Sequence, residues 1–306
     1  MLKKNPVFLG LVTLVSTIVV SVLALVPITK NKDIEAMDWM SKVDDNALIT
    51  ELSIPGTHDS GATRSIFDVS GKCQDTSIET QLNIGVRFFD MRLQLVEDDF
   101  RVVHSFVDQK LEFEDVLEDM VDFIEHHNKE FLIMSIKEEA DSINAKRSFE
   151  EELLDELEEY KDIICYDNSL PKTLKEARGK IYILSRFNTS IGIQAYAGWQ
   201  DSTSFELNNM YIQDNYCISD VEVKQKDILD TIEYSKTHQD KLVLNFTSCY
   251  NKDQILPPLY AGTTALTINP WLEYHLTNDE KEGDLGIMIM DFMTLDLSRS
   301  IYRRNL

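Results

Sequence analysis

Short apolar runs alternate with amphipathic stretches along most of the chain. Ala47 to Ile54 reads as a strand stopped by Pro55 and Gly56, with His58 and Asp59 on the loop beyond it. Val86 to Leu95 reads as a strand between Gly85 and the acidic turn Glu97-Asp98-Asp99, and Phe100 to Val103 as another ending on His104. Phe131 to Ile136 is almost continuously apolar, the pattern of a strand buried on both faces, and leads to Lys137 and Glu139. Lys180 to Ser185, Lys241 to Phe246 and Leu285 to Met290 are similar; the first ends on Arg186, the second near Asn245 and Ser248, and the third on Asp291. Between them the period changes. Phe113 to His127 sets Val116, Met120, Phe123 and Ile124 on one helical face and acids on the other. Phe149 to Tyr160 is an acidic amphipathic helix, and Val221 to Thr237 a helix started by the capping pair Ser219-Asp220.

Strands alternating with helices imply parallel pairing in an α/β fold. One domain of roughly 260 residues with about seven or eight such strands predicts a single (β/α) TIM-like barrel, distorted or incompletely closed. An N-terminal hydrophobic helix is expected ahead of it. Val7 to Val26 is uncharged and, at about 20 residues, long enough to span a bilayer. Lys3 and Lys4 before it favour a cytoplasmic N-terminus, which puts everything after Pro27 outside. The expected division is 1–28 as a signal-anchor or signal-peptide segment, 29–38 as a linker and 39–306 as the folded barrel. Val22-Leu23-Ala24 offers a cleavage site, but a signal-peptide apolar region is usually only about 7 to 15 residues, which favours a retained anchor.

Composition narrows the partners. A net charge of −23 over 306 residues argues against nucleic acid, whose phosphates require a basic footprint. The same charge gives no general attraction to an anionic membrane, so a lipid substrate needs a local basic pocket or a tether. Cys73, Cys165, Cys217 and Cys249 have no metal-ligand spacing. Cys165 and Cys217, near apolar residues, read as buried thiols, and a Cys217–Cys249 disulfide is left open. His126 and His127 suit a helix end, and His238 and His275 a polar surface. Trp199 and Tyr250 fit either core packing or a pocket wall, and the acid-rich run Glu150 to Glu159 a solvated helix face.

His58, Arg92, His104, Lys137, Arg186 and Asp291 each fall at or just beyond the C-terminal end of a different expected strand. In a parallel barrel those ends form one rim, where active sites lie. Two histidines, the acids Asp59 and Asp291 and a ring of cations suit phosphoryl transfer by paired acid and base, with positive groups on the non-bridging oxygens.

At these residues the chain resembles the bacterial phosphatidylinositol-specific phospholipase C family, the group built on the X domain. The matching segments are SIPGTHDSG (53–61), GVRFFDMRLQL (85–95), VVHSF (102–106), FLIMSIKEE (131–139), RGKIYILSRF (178–187), LVLNFTS (242–248) and GIMIMDF (286–292). The resemblance implies cleavage of phosphatidylinositol to diacylglycerol and inositol 1,2-cyclic phosphate by a monomeric enzyme, at or beyond the outer face of the cell membrane. It implies His58 as general base oriented by Asp291, His104 as general acid partnered by Asp59, and Arg92 as the transition-state cation. Lys137, Arg186 and Asp201 match positions that hold inositol hydroxyls. Arg92 stands where metal-dependent relatives bind calcium, so no metal or other cofactor is expected. The family's acid histidine is commonly followed by Gly, whereas His104 is followed by Ser105, a residue able to displace the acid slightly and lower turnover more than binding. Alternatives are a phosphodiesterase acting on glycosyl-phosphatidylinositol or another phosphodiester, and a non-catalytic exported binding module on the same barrel.

Overall fold

The computed structural model describes residues 34–64, 71–105, 107–253, 260–278 and 283–306. Its strands, in chain order, are β1 (Ile54–Thr57), β2 (Phe88–Val96), β3 (Asp99–His104), β4 (Val107–Glu112), β5 (Leu132–Glu138), β6 (Ile164–Cys165), β7 (Ile181–Ser185), β8 (Ile193–Gln194), β9 (Ser204–Leu207), β10 (Met210–Gln213), β11 (Cys217–Ile218), β12 (Leu242–Phe246), β13 (Tyr250–Asn251) and β14 (Ile287–Met290). The run β7-β5-β2-β1-β14-β12-β10 is parallel throughout. This is the circular order of a parallel barrel, with the last strand returning to pair with the first. Among the described residues no pairing joins β7 or β8 to β10 or β9, so the expected barrel is open on that side. Residues Asp33–Leu306 form one compact unit. The expected N-terminal apolar helix, Val7 to Val26, lies outside the described residues; among those described, no helix is long and apolar enough to cross a membrane.

The alternation of side chains along each strand divides the core in two. Ile54, Phe88, Ile133, Leu184, Leu244 and Ile289 pack together inside the sheet's curve, on Trp39 and Met40. Their chain neighbours Phe89, Met134, Ile183 and Met288 face the other way, onto Val116 and Met120 of the helix Phe113–His126 and Ile228 of the helix Val221–Thr237.

Three expectations require correction. Residues Ile49–Glu51 form a 3-10 turn, and the first strand is Ile54–Thr57, with Pro55 and Gly56 inside it. Pairing to β2 begins only at Gly56 opposite Phe88, so the missing Pro55 N–H faces no ladder partner. Gly56 is required because an added Cβ would lie 3.0 Å from the Phe88 Cβ. Strand β3 is no barrel strand, since it runs antiparallel to β2, folding back from the rim. The strand that takes its place in the count is β10, Met210–Gln213, whose four residues mix apolar and polar side chains and so lack the continuous apolar run of the four-residue β14. Finally, Cys73 and Cys249 are the buried thiols, while Cys165 and Cys217 are half-buried; all are free.

Candidate active site

The inward-facing period of two continues past the strand ends and changes there from apolar to charged. On β2 it runs Phe88, Asp90, Arg92, with Asp90 opposite Ser135 and Arg92 opposite Lys137 of β5. On β1 it passes through Gly56 to His58, on β14 through Ile289 to Asp291, and on β7 through Leu184 to Arg186. The apolar positions close the barrel interior and the polar ones meet above it, around an open cavity of about 1580 Å³ lined by His58, Arg92, His104, Lys137, Arg186 and Asp291.

His58 Nδ1 lies 2.8 Å from Asp291 Oδ1. On its other side Arg92 Nη2 donates to His58 Nε2 over 2.7 Å. That geometry is satisfied by a neutral ring whose Nδ1–H donates to Asp291. Burial pushes the imidazole down, but Asp291, opposed by Arg92 and helped by Asp90, carries it above its ordinary 6.5.

Arg92 is the centre of the charge network. It donates from Nε and Nη2 to Asp90 Oδ2 (3.2 and 3.1 Å), and ion-pairs with Glu139 at 3.5 Å and Asp59 at 3.6 Å. Asp90 in turn accepts from Arg186 Nη1 at 3.1 Å and from the Asp59 amide at 3.2 Å. Burial works against the Asp90 carboxylate, yet Arg92 and Arg186 outweigh it and hold the group well below the usual carboxylate range. Glu139 likewise sits low: against burial, Arg92 and the 2.6 Å bond from Lys137 Nζ favour its charged form.

His104 enters from the β3 hairpin, its Nε2 3.7 Å from Asp59 Oδ2, an ion-pair separation too long for a hydrogen bond. Asp59 is fully buried, with φ +43°, and neither of its carboxylate oxygens has a hydrogen-bond partner among the described residues. Burial pushes its carboxyl above the ordinary 3.8, against the pull of Arg92 and His104. The residue after His104, Ser105, has φ +53°, the left-handed region that a glycine would occupy at less cost.

Arg186 sits over Trp199, its guanidinium carbon 3.8 Å from the ring centroid. Trp199 donates to Asp214 Oδ2 at 3.0 Å, so the ring is a pocket wall with its polar edge anchored. Asp201 lines the outer cavity and accepts from the Tyr216 hydroxyl, apart from the central cluster. The structure thus brings His58, Asp59, Arg92, His104, Lys137, Arg186 and Asp291 to one rim, with Asp201 at its periphery. His127 bonds Asp38 at 2.8 Å and stacks on Phe123, while His126, His238 and His275 lie outside the cavity lining.

Sequence reasoning passed over Asp90, which the alternation with Arg92 on one strand face signals, and Glu139. It also passed over Lys224, a buried lysine that donates to Gln213 Oε1 (2.9 Å) and the Asn215 carbonyl (2.8 Å) and braces the turn carrying Asp214. Burial lowers the Lys224 amine to about 8. Its place in a polar stretch of helix gives no sign of this.

Comparison with known proteins adds the following. The family model described as "Phosphatidylinositol-specific phospholipase C, X domain" matches residues 49–187. A 1-phosphatidylinositol phosphodiesterase of Listeria monocytogenes is 30% identical over 278 residues, covering 87% of this chain and 84% of its own. The protein of the same name from Staphylococcus aureus (strain Newman) is 30% identical over 277 residues, covering 83% and 88%. A solved phosphatidylinositol-specific phospholipase C from S. aureus superposes with a TM-score of 0.79 at 26% identity, over 89% of this chain and 98% of that one.

Proposed function

The chain belongs to the phosphatidylinositol-specific phospholipase C X-domain family, and from that membership we propose that it cleaves phosphatidylinositol to diacylglycerol and inositol 1,2-cyclic phosphate. The observation that carries the mechanism is the pair of imidazoles linked through Arg92 and Asp59, His58 touching the guanidinium and His104 the carboxylate. Each of the two rings offers a nitrogen within 4.8 Å of the Cys73 sulfur, so both border one small volume.

In this reading His58 is the general base. Its Nδ1–H is held by Asp291, and its Nε2 lone pair, covered by Arg92 in the free protein, is released when the anionic phosphate oxygens draw the guanidinium onto themselves. The inositol 2-hydroxyl then gives its proton to Nε2 as its oxygen attacks phosphorus. An attacking group already on the substrate has a large effective concentration, worth about 7 kcal/mol or more of the barrier when aligned. Arg92 faces the charge that develops on the non-bridging oxygens, while Lys137 stands with the groups that hold the inositol hydroxyls. His104 protonates the departing diacylglycerol oxygen, with the Asp59 carboxylate 3.7 Å away stabilising its imidazolium form. Arg186, fixed by Asp90 and Trp199, and Asp201 at the outer wall hold the inositol hydroxyls.

The uncharged run Val7 to Val26 behind Lys3 and Lys4 supports a catalytic unit 39–306 held outside the membrane by a retained anchor. Phosphorus NMR on phosphatidylinositol turned over by the full chain tests the reaction. A cyclic phosphodiester as first product is expected; an acyclic monophosphate with no cyclic precursor would rule out internal attack.

A further inference from the structure

Cys73 lies between the two histidine-acid pairs and has no part in the scheme above. Its amide donates to the Ala62 carbonyl (2.8 Å) and its carbonyl accepts from the Phe292 amide (2.7 Å), so its backbone is clamped between the segment after β1 and the end of β14. Its Sγ lies within 4.8 Å of an Asp59 carboxylate oxygen and a His104 ring nitrogen.

His104 Nε2 and Asp59 Oδ2 are 3.7 Å apart. That is long for a hydrogen bond but close to the edge of a tetrahedral zinc site, where bonds of about 2.0 to 2.3 Å put ligand atoms roughly 3.3 to 3.7 Å from one another. Neither Asp59 oxygen is hydrogen-bonded, and neither is His104 Nδ1. Asp59 has the Arg92 and His104 cationic groups at 3.6 and 3.7 Å but no hydrogen bond, and a buried carboxylate left without one is costly, a cost that a directly bound cation would offset. The alternative trio, His58, Cys73 and Asp291, is as close, but both His58 nitrogens are engaged there.

We propose that Asp59, Cys73 and His104 form an inhibitory site for a thiophilic divalent cation of the zinc class. Thiolate, imidazole and carboxylate are zinc donors, whereas calcium and magnesium prefer all-oxygen shells. On binding, the Cys73 S–H bond breaks, its proton passes to solvent, and a metal–sulfur bond forms with no change of oxidation state. Arg92 ion-pairs with Asp59 at 3.6 Å, but its hydrogen bonds go to Asp90 and it also pairs with Glu139, so among the described residues both Asp59 oxygens remain without a hydrogen bond. The metal engages the His104 nitrogen that faces Asp59. The inhibitory consequence, unlike the binding itself, rests on the reading of His104 as the acid.

Cobalt(II), a coloured stand-in for zinc, separates the two in the full chain. A thiolate-to-cobalt charge-transfer band is expected in the unmodified protein and in Cys217→Ser, and its loss in Cys73→Ser. Zinc should lower phosphatidylinositol cleavage at least tenfold, reversibly with a chelator. Cys73→Ser should need at least tenfold more zinc for the same fractional inhibition of its own metal-free activity. Absence of the band in the unmodified chain overturns the site whatever the variants do, and so does an unchanged band in Cys73→Ser. If that variant does not fold, Cys73→Ala takes its place. A band with no inhibition overturns the inhibitory role alone. Failure to cleave phosphatidylinositol without metal would overturn the functional reading and leave the band to judge the site.

Discussion

Arg92 Nη2 donates to Nε2 of His58 across 2.7 Å, covering the lone pair a base at this position has to use. Asp291 holds the opposite ring nitrogen at 2.8 Å, so the tautomer is already the one required for proton abstraction. In the proposed scheme the free protein holds its base with the lone pair occupied by the same cation that would bind the phosphate. Substrate arrival and base release are then one event.

The pH dependence follows from the same contacts. A base must be unprotonated, so if His58 is the base, as proposed, the acidic limb of kcat/KM reports its pKa in the free enzyme. Burial lowers that pKa, but Asp291, against Arg92, lifts it above 6.5, and the limb is expected above 6.5. Asp291→Asn removes the largest upward push and leaves only the smaller one of Asp90 against burial and Arg92, so the limb should move to lower pH. A limb unmoved in Asp291→Asn, measured on a soluble phosphodiester, would detach Asp291 from His58. For stability the sign is opposite to that of a depressed acid. The raised His58 pKa contributes stability fully present below pH 6.5 and lost as pH rises through the folded value.

His58→Ala and His104→Ala should each lower kcat by about 10² to 10⁴, the usual worth of one positioned proton-transfer group. Folding, read from a melting transition, should be little changed for His104, which is partly exposed at 26% of its side chain. Turnover near that of the unmodified chain in either variant would remove the two-histidine scheme.

Much of the site was legible because it sits on strand ends. Alternation is a local property of sequence, and once a buried strand is recognised its period of two carries over to His58, Arg92, Lys137, Arg186 and Asp291. Strand direction is not encoded in periodicity, which is why Phe100 to Val103 was taken for a barrel strand. The loop length held the answer. Only Glu97 and Asp98 separate β2 from β3, both with positive φ, and a parallel crossover needs about a dozen residues or more. Asp90 was hidden by its surroundings: a single acid in FFDMRL reads as part of a strand until its partners Arg92 and Arg186 are brought beside it. Lys224 is more deeply hidden, since only tertiary packing decides which lysine of an exposed helix turns inward.

Ser105→Gly is expected to stabilise the protein. The left-handed backbone costs a non-glycine residue about 1 to 2 kcal/mol, and the greater freedom of glycine in the unfolded chain returns roughly 0.5 to 1 of it. A gain of up to about 1 kcal/mol should appear as a higher urea midpoint with unchanged slope. Because the Ser105 amide also donates to Glu139 Oε1 at 3.3 Å, the turn couples the His104 hairpin to the cation cluster. If Ser105 holds the acid off its best position, kcat should rise while KM stays nearly fixed. A midpoint that falls would mean the serine is not strained there.

Asp90→Asn should be the most damaging of these changes to stability. Its carboxylate is fully buried and offsets two guanidinium groups whose side chains are only 13% and 9% exposed, Arg92 and Arg186. Breaking a buried pair by removing one partner costs about 3 to 5 kcal/mol, because the remaining charge stays desolvated. The sign of its pH dependence is fixed by the depressed pKa. Asp90 contributes stability fully present above the ordinary 3.8 and lost as pH falls through the folded value, whereas asparagine does not titrate. Urea unfolding of both chains at neutral pH and below pH 3.8 should therefore give a wide gap that narrows in acid. Activity provides a second reading of the same change. With Asp90 gone, Arg92 keeps only Asp59, Glu139 and His58, and the guanidinium is free to settle more firmly on the His58 lone pair. KM should rise and kcat fall together. A gap of equal size at both pH values would mean that Asp90 acts through packing and not through its charge.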